Sequence, residues 1–352
     1  MDHITAHAID LIEAAYDLEK PDSEWLPNLL DVGAPVLDHG LGVAADEFVM
    51  THQGESAEVL TGELHMRSLP PDFADRVATA VGAASPQLQA ATNIDGFAST
   101  WTEAAKDFPE EAEQALRAMG YPDLLGMHAM DPRGVGIRII APLPTATTLT
   151  PRSRERWKML GAHIASGYRL RRALAAMGAA SQADPTGLPL EAEAVIDAQG
   201  FRLVDAVGPA KEVNAASVLR RAARTVDRSR GQMRVNDPQR ALDVWTALVG
   251  GRWSIVDWFD TDGRRFVLAM PNSPGVADPR GLTEQECQVV SYIVRGDTSK
   301  LVAYRLGLSP ARVSGLLKSA MHKLGVKSRA GLAHKLGPLG APTGIPGDES
   351  AA

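Results

Sequence analysis

The chain has 352 residues, of which 45% are hydrophobic and 22% are charged, and its net charge is −7. This composition is typical of a soluble globular protein of two or three domains, and no apolar run reaches the ~18–20 residues that a membrane span needs. The single cysteine, Cys287, excludes an internal disulfide and a multi-cysteine metal site. The N-terminus lacks the basic and apolar regions of a signal peptide, so we expect a cytoplasmic protein with no membrane partner.

The first half of the chain predicts an α+β unit. In chain order, the patterns are a helix at 3–17, a second helix with Asp22 or Ser23 as its N-cap, strands at 42–52 and 56–66, helices at 71–84 and 109–119, strands at 123–132 and 134–144, and a long helix at 151–177. The two strand pairs are separated by turn residues at 53–55 and 132–134, which indicates two hairpins.

The long helix carries one apolar stripe, formed by Trp157, Leu160, Ile164 and Tyr168 at three- and four-residue spacing. Because this helix would join two units of the protein, the stripe is a candidate dimer contact. Packing of the same stripe on the sheet of its own unit is an equal alternative.

A second, smaller α+β unit follows a polar, Pro/Gly-rich stretch at 178–190. It comprises a hairpin turned at Gln199-Gly200, helical patterns at 212–228 and 238–248, and a hairpin turned at Asp262-Gly263. A further linker is expected at 271–280. The final residues, 338–352, cannot build a core and are expected to be disordered.

The charge of the chain is divided unevenly. Residues 281–336 contain nine Lys or Arg and three Asp or Glu, a net charge of +6, whereas residues 1–280 carry −11. A basic block on an acidic body indicates either a polyanion-binding module or a solvated basic face.

The basic block predicts four short helices with clear start and stop signals. Thr283 and Glu286 form a capping box, Thr298 and Ser309 are N-caps of the second and third helices, and Ser328 caps the fourth. The link Gly307-Leu308-Ser309 has the length of the tight turn in a helix-turn-helix.

With these signals in place, the segment "LTEQECQVVSYIVRGDTSKLVAYRLGLSPARVSGLLKSAMHKLGVKSRAGL" resembles the LuxR-type helix-turn-helix of bacterial transcription regulators. The matching positions are Leu282, Thr283, Glu286, Val289, Gly296, Lys300, Ala303, Leu306, Gly307, Ser309, Val313, Lys323, Leu324, Gly325, Val326, Ser328 and Arg329. The resemblance implies an all-α domain at 278–337 that binds operator DNA as a dimer, with the third helix in the major groove.

The third helix has an apolar and a polar face. Val313, Leu317, Ala320 and Leu324 should pack inward, and the polar face is suited to groove entry and phosphate contact. The candidate DNA-binding residues are Lys300, Ser309, Arg312, Ser314, Gly315, Lys318, Ser319, His322, Lys323, Lys327 and Arg329.

Four positions of this helix-turn-helix depart from the family. Ser314 stands where a Lys is common, and Gly315 and Leu316 replace polar residues. In one interpretation, Gly315 lets the backbone approach DNA and Leu316 touches a thymine methyl. In the other, both residues indicate that base reading is lost. Leu301 replaces the Glu that would complete a capping box with Thr298.

The upstream units resemble sensory domains by element order alone. Residues 1–178 are similar to a GAF-type domain and residues 190–270 to a degenerate PAS-type domain, and such domains hold a small molecule or mediate dimerisation. Candidate pocket residues are Phe97, Trp101, Phe108, Tyr121, Met127 and His128, with ordinary core packing as the alternative.

The sequence shows no P-loop, dinucleotide or zinc-protease motif and no receiver-domain acidic pattern, so we expect neither an enzyme nor a cofactor. The prediction is a homodimeric DNA-binding regulator that responds to a small molecule or a protein. The alternative is a protein-interaction regulator that keeps the helix-turn-helix fold but binds DNA weakly or not at all.

Overall fold

The computed structural model describes residues 2–53, 56–94, 98–131, 134–179, 187–272 and 282–336. The chain forms two antiparallel sheets, each with helices packed on it, and a C-terminal group of helices. Within the described part of the chain, no helix combines the length and apolarity needed to cross a membrane.

The first sheet has six strands in the order β2-β1-β6-β5-β4, with the short β3 also paired to β1. The strands are β1 Val43–Gln53, β2 Ser56–Thr61, β3 His65–Arg67, β4 Ala98–Thr100, β5 Asp123–Met130 and β6 Val135–Leu143. The strand expected at 56–66 is divided in two, because β2 pairs with the second half of β1 and β3 with its first residues.

Helices cover both faces of this sheet. They are α1 Asp2–Ala15, α2 Asp22–Leu37, α3 Phe73–Ala83, α4 Pro86–Ile94, α5 Trp101–Ala104, α6 Pro109–Met119 and α7 Pro151–Ala179. Side chains alternate across β5: Leu125 and Met127 join the core formed with α1, α2 and α7, whereas Leu124 joins a smaller cluster with α3 and α6.

Two local features of this unit differ from the sequence prediction. The N-cap of α2 is Pro21, not Asp22 or Ser23. Asp22 is the first residue of the helix, and its carboxylate accepts a hydrogen bond from Arg171 at 2.5 Å. The sequence patterns also did not predict β4, α4 and α5, although α5 begins with a capping box formed by Thr100 and Glu103.

The apolar stripe of α7 packs inside the chain. Trp157, Leu160, Ile164 and Tyr168 are all buried and belong to the main hydrophobic core. The hypothesis that this stripe is a dimer contact is therefore wrong, because a second copy of the chain cannot reach side chains that are already covered by their own protein.

The second unit has a four-stranded sheet in the order β8-β7-β10-β9. Its elements are β7 Ala194–Asp197, β8 Leu203–Ala206, α8 Ala215–Arg230, α9 Gln232–Asn236, α10 Pro238–Val244, β9 Trp253–Phe259 and β10 Arg265–Pro271. Both expected hairpins are present. Core residues of this unit, such as Leu219 and Trp245, share one hydrophobic cluster with α1 and α7, so the two units are packed together.

Four helices follow in the C-terminal region: α11 Glu284–Val294, α12 Ser299–Leu306, α13 Pro310–Lys323 and α14 Arg329–Leu336. Most of them pack around a core of their own, which includes Val289, Val302 and Leu317. Residues 273–280 of the linker expected at 271–280 lie outside the described residues, as does the tail from Gly337. The same holds for the turn residues 54–55 and 132–133 and for most of the linker at 178–190.

Candidate nucleic-acid interface

The capping signals of the C-terminal region form as the sequence predicts. The Thr283 hydroxyl accepts from the Glu286 amide, and the Glu286 carboxylate accepts from the Thr283 amide. The hydroxyls of Thr298 and Ser309 accept from the amides three residues later. Gly307 ends α12 in the left-handed conformation, with φ of 61°. Local hydrogen bonds therefore fix the turn between α12 and α13.

The inner face of α13 is apolar, as predicted. Val313, Leu317, Ala320 and Leu324 are buried in the core of the helix-turn-helix. Leu316 is buried in the same core, so the prediction that it touches a thymine methyl is wrong. Its position is one residue from Leu317 and three from Val313, which places it on the inner side of the helix.

The outer face of α13 is exposed. It presents Arg312, Ser314, Gly315, Lys318 and His322 to solvent. A Cβ atom added at Gly315 would meet nothing within 4 Å, so packing against the residues that the structure describes does not require a glycine there. This face can enter a groove without any rearrangement of α13 itself.

Two of the candidate DNA-binding residues are engaged by a buried carboxylate. Glu286 is 3% exposed; its Oε1 accepts from the Ser319 hydroxyl at 2.6 Å and its Oε2 from Lys323 Nζ at 2.7 Å. Burial alone would raise the pKa of Glu286, but the hydrogen bonds from Lys323, Ser319 and the Thr283 amide together lower it to about 2. Ser319 and Lys323 thus hold α13 against the start of α11.

The remaining basic residues divide into internal and exposed groups. Arg305 is buried and ion-paired with Asp297 at 2.9 Å, and Arg295 donates to the carbonyl of Asp131 in the first unit. By contrast, Lys300, Lys318 and Lys327 are exposed and have no ion-pair partner among the residues described. The cationic surface is therefore smaller than the net charge of +6 implies.

Two arginines on this exposed side have neutral hydrogen-bond partners. Arg312 donates to the Gln285 side chain at 3.2 Å, and Arg329 donates to the Ser299 hydroxyl at 2.8 Å. Neither contact neutralises the guanidinium, so both residues add to the positive charge around α13.

The helix-turn-helix docks on the rest of the protein through α12. Leu301 and Tyr304 lie in the main hydrophobic core, beyond the core of their own helices, which explains why position 301 holds an apolar residue. At Gly307, a Cβ atom would lie 1.9 Å from the carbonyl oxygen of Leu248. The docking covers α12 and leaves the outer face of α13 uncovered.

A buried polar network crosses this docking interface. The Tyr304 hydroxyl lies 2.6 Å from Nε2 of His163 on α7 and donates to the Leu242 carbonyl at 3.0 Å. Nδ1 of His163 lies 3.2 Å from the hydroxyl of Tyr16, the residue that follows α1. Burial lowers the pKa of His163 to about 3, so the imidazole is neutral, and burial raises the pKa of both tyrosines.

The loop before β9 adds backbone hydrogen bonds to the same interface. The Gly251 amide donates to the Leu306 carbonyl at 2.6 Å. The side chains of Gln285 and Gln288 donate to the carbonyls of Gly250 and Gly251 at 2.7 and 3.1 Å. Both upstream units therefore contact the helix-turn-helix directly.

The first unit contains a cavity between its sheet and helices α3–α6. Its internal volume is about 60 Å³, several times the ~10–15 Å³ that one water molecule occupies by this measure. The lining residues are Val77, Val81, Thr92, Ser99, Thr100, Trp101, Ala104, Met119, Leu124, Gly126, His128, Arg138 and Ile140. The indole Nε1 of Trp101 is buried and has no hydrogen-bond partner within the described part of the chain.

Only some of the expected pocket residues line this cavity. Trp101 and His128 do, whereas Met127 points into the core on the opposite face of β5. Tyr121 packs edge-on against Phe73, and Phe108 packs in a separate small cluster. The period-two alternation of β5 would have placed Leu124, Gly126 and His128 on one face. Phe97 lies outside the described residues.

A protein family known from other sequences matches the C-terminal region of the chain. Residues 280–336 match the family described as bacterial regulatory proteins, luxR family. No curated protein matches the chain. The C-terminal region is therefore a luxR-family helix-turn-helix domain, which supports a DNA-binding transcription regulator.

Proposed function

We propose that this protein is a dimeric transcription regulator whose α13 binds the major groove of operator DNA and whose upstream units control that binding. The observation that supports it most strongly is the uncovered outer face of α13, with Arg312 and Lys318 exposed in a domain that is docked through a different helix. Exposed Arg and Lys on a groove-entering helix can contact base edges and phosphates.

Selection from random oligonucleotides tests this proposal. We expect an enriched, palindromic sequence, because a dimer places two reading helices ~34–36 Å apart on one side of the duplex. Arg312→Ala and Lys318→Ala should each weaken binding to the selected duplex by ~1–3 kcal/mol if they contact bases. Lys106→Ala, which removes an exposed lysine of the first unit, is the matched control.

A selection that enriches no sequence would contradict the proposal and favour the alternative of a regulator that acts through protein contacts. Unspecific, salt-sensitive binding does not separate the two functions, because any basic module binds DNA in this way. The oligomeric state is a separate measurement: light scattering should give a dimer, and its contact must lie outside the α7 stripe.

We further propose that the first unit is a GAF-like sensory domain whose cavity binds a small, mainly apolar molecule. The lining is largely hydrophobic, and the unpartnered Nε1 of Trp101 would donate to a hydrogen-bond acceptor of the ligand. Arg138 is held by Asp46 through hydrogen bonds of 2.9 and 2.5 Å, so it shapes the wall and is not free to bind an anion.

Small ketones and aldehydes are suitable probes, because each has one acceptor and an apolar body. We expect them to raise the melting temperature of the wild-type protein, and Trp101→Phe to reduce that shift because it removes the only atom of the indole that can donate. An equal shift in both proteins would place the ligand elsewhere.

A further inference from the structure

The outer face of α8 carries a row of arginines. Arg220, Arg224 and Arg228 are exposed and lie four residues apart, so they share one face of the helix with a rise of ~6 Å per step. Arg221 is exposed beside them. This concentration of positive charge is unexpected in a chain whose residues before the helix-turn-helix have an excess of acids.

None of these four arginines has an ion-pair partner among the residues described. Arg220 donates only to the carbonyl of Ala216 in its own helix, and Arg224 lies over the ring of Phe201 at 5.8 Å. Nearby arginines behave differently. Arg230 pairs with Glu13 and Asp257, and Arg265 pairs with Asp227 and Asp257.

The row does not stabilise the helix that carries it. Like charges four residues apart destabilise a helix by ~0.2–0.5 kcal/mol per pair, and the row contains two such pairs. The exposed face buries no apolar side chain in return, since the buried face of α8 is formed by other residues such as Leu219 and Ala223. An anionic partner would remove this repulsion.

The surface beside the row is concave. Phe201, Ser217, Asp227 and the four arginines line a groove open to solvent. The Asp227 carboxylate is paired with Arg265 at 2.8 Å, so the four arginines leave the groove with an excess of positive charge. The stacking of Arg224 on Phe201 holds one guanidinium over this groove. The shape and charge suit an extended polyanion.

A short series of contacts links the start of α8 to the start of α13. Glu212, three residues before α8, pairs with Arg252 at 3.5 Å. The adjoining Gly250 carbonyl accepts from Gln285, whose Oε1 in turn accepts from Arg312. These contacts connect the segment that precedes α8 with the start of α13.

We propose that the row formed by Arg220, Arg224 and Arg228 binds the phosphate backbone of the duplex beside the site that α13 occupies. This inference rests on the proposed function. Duplex DNA carries one charge per ~1.7 Å of its axis, so three guanidiniums spread over ~12 Å can each reach a phosphate. Phosphate contacts of this kind strengthen binding without reading sequence.

The test compares two duplexes by fluorescence anisotropy over a range of salt concentrations. One covers only the selected site, and the other extends it by about one helical turn, ~10 base pairs, on each side. Wild-type protein should bind the extended duplex more tightly, with a salt slope that is steeper by up to ~2.7 per protomer, or ~0.9 for each phosphate neutralised.

The triple variant Arg220→Gln, Arg224→Gln and Arg228→Gln should lose this preference and bind the short duplex as the wild type does. A control variant with the same change of net charge, Lys106→Gln, Arg117→Gln and Arg152→Gln, should keep the preference. All six side chains are exposed, and melting curves will show that both variants are folded.

The inference is overturned if the triple variant still prefers the extended duplex, or if it loses affinity for a labelled polyglutamate peptide while its DNA binding is unchanged. Random-sequence duplexes of both lengths test phosphate binding by the arginine row separately from sequence reading by α13, which is the proposed function. Binding that depends on the arginine row but not on Arg312 and Lys318 would contradict the role of α13 and leave the row as a phosphate site.

Discussion

The docking of the helix-turn-helix predicts a specific dependence of stability on pH. His163 is 0% exposed and lies between Tyr16 and Tyr304, and burial lowers its pKa from 6.5 to about 3. Its contribution to stability is therefore fully present above pH 6.5 and is lost as the pH falls toward 3, because only the unfolded chain then binds the proton.

The magnitude at pH 5.5 follows from the unfolded pKa alone. One pH unit below 6.5, protonation stabilises the unfolded chain by RT ln(1 + 10), about 1.4 kcal/mol, whereas the folded imidazole stays neutral. Wild-type protein should lose ~1.4 kcal/mol more unfolding free energy than His163→Gln between pH 7.5 and pH 5.5. The remaining histidines are common to both proteins and cancel in the comparison.

Urea unfolding of the full chain, followed by tryptophan fluorescence, measures this difference. Trp245 lies 5.8 Å from the His163 ring, so its emission reports on the interface. A loss of the same size in wild type and variant would show that His163 is not the titrating group. Tyr304→Phe provides a second check, because it removes one of the imidazole's partners and should cost ~1–3 kcal/mol at neutral pH.

Three further substitutions probe the helix-turn-helix. Glu286→Gln should lower the free energy of unfolding by ~1.5–3 kcal/mol at pH 7, because it weakens the contact with Lys323. This loss should shrink as the pH falls from 4.5 toward 2. A loss that does not depend on pH would refute the ionic contact. Gly307→Ala should lower the free energy of unfolding by at least ~2 kcal/mol, because residue 307 has a positive φ and the added Cβ clashes with Leu248. It should also speed hydrogen exchange in α12. Unchanged exchange would contradict the docking described above. Gly315→Ala should stabilise α13 by ~0.5–1 kcal/mol yet weaken binding to the selected duplex, and unchanged affinity would show that the backbone at this position does not approach DNA.

The helices and turns of the C-terminal region follow from short-range sequence signals. Thr283, Thr298 and Ser309 act as caps at the predicted positions, and Gly307 ends α12. These features depend on hydrogen bonds and φ values within three or four residues, so the local sequence contains all the information they require. The hairpins of both sheets were predictable for the same reason.

Which side chains remain available for function depends on how distant parts of the chain pack together. Leu316 is buried, Lys323 and Ser319 hold Glu286, and the α7 stripe that Trp157 begins is covered by the chain itself. Each outcome depends on residues distant in sequence, because burial and ion pairing arise between elements that the fold brings together. Periodicity shows which face of a helix is apolar or charged, but what covers that face is fixed by packing across the whole chain.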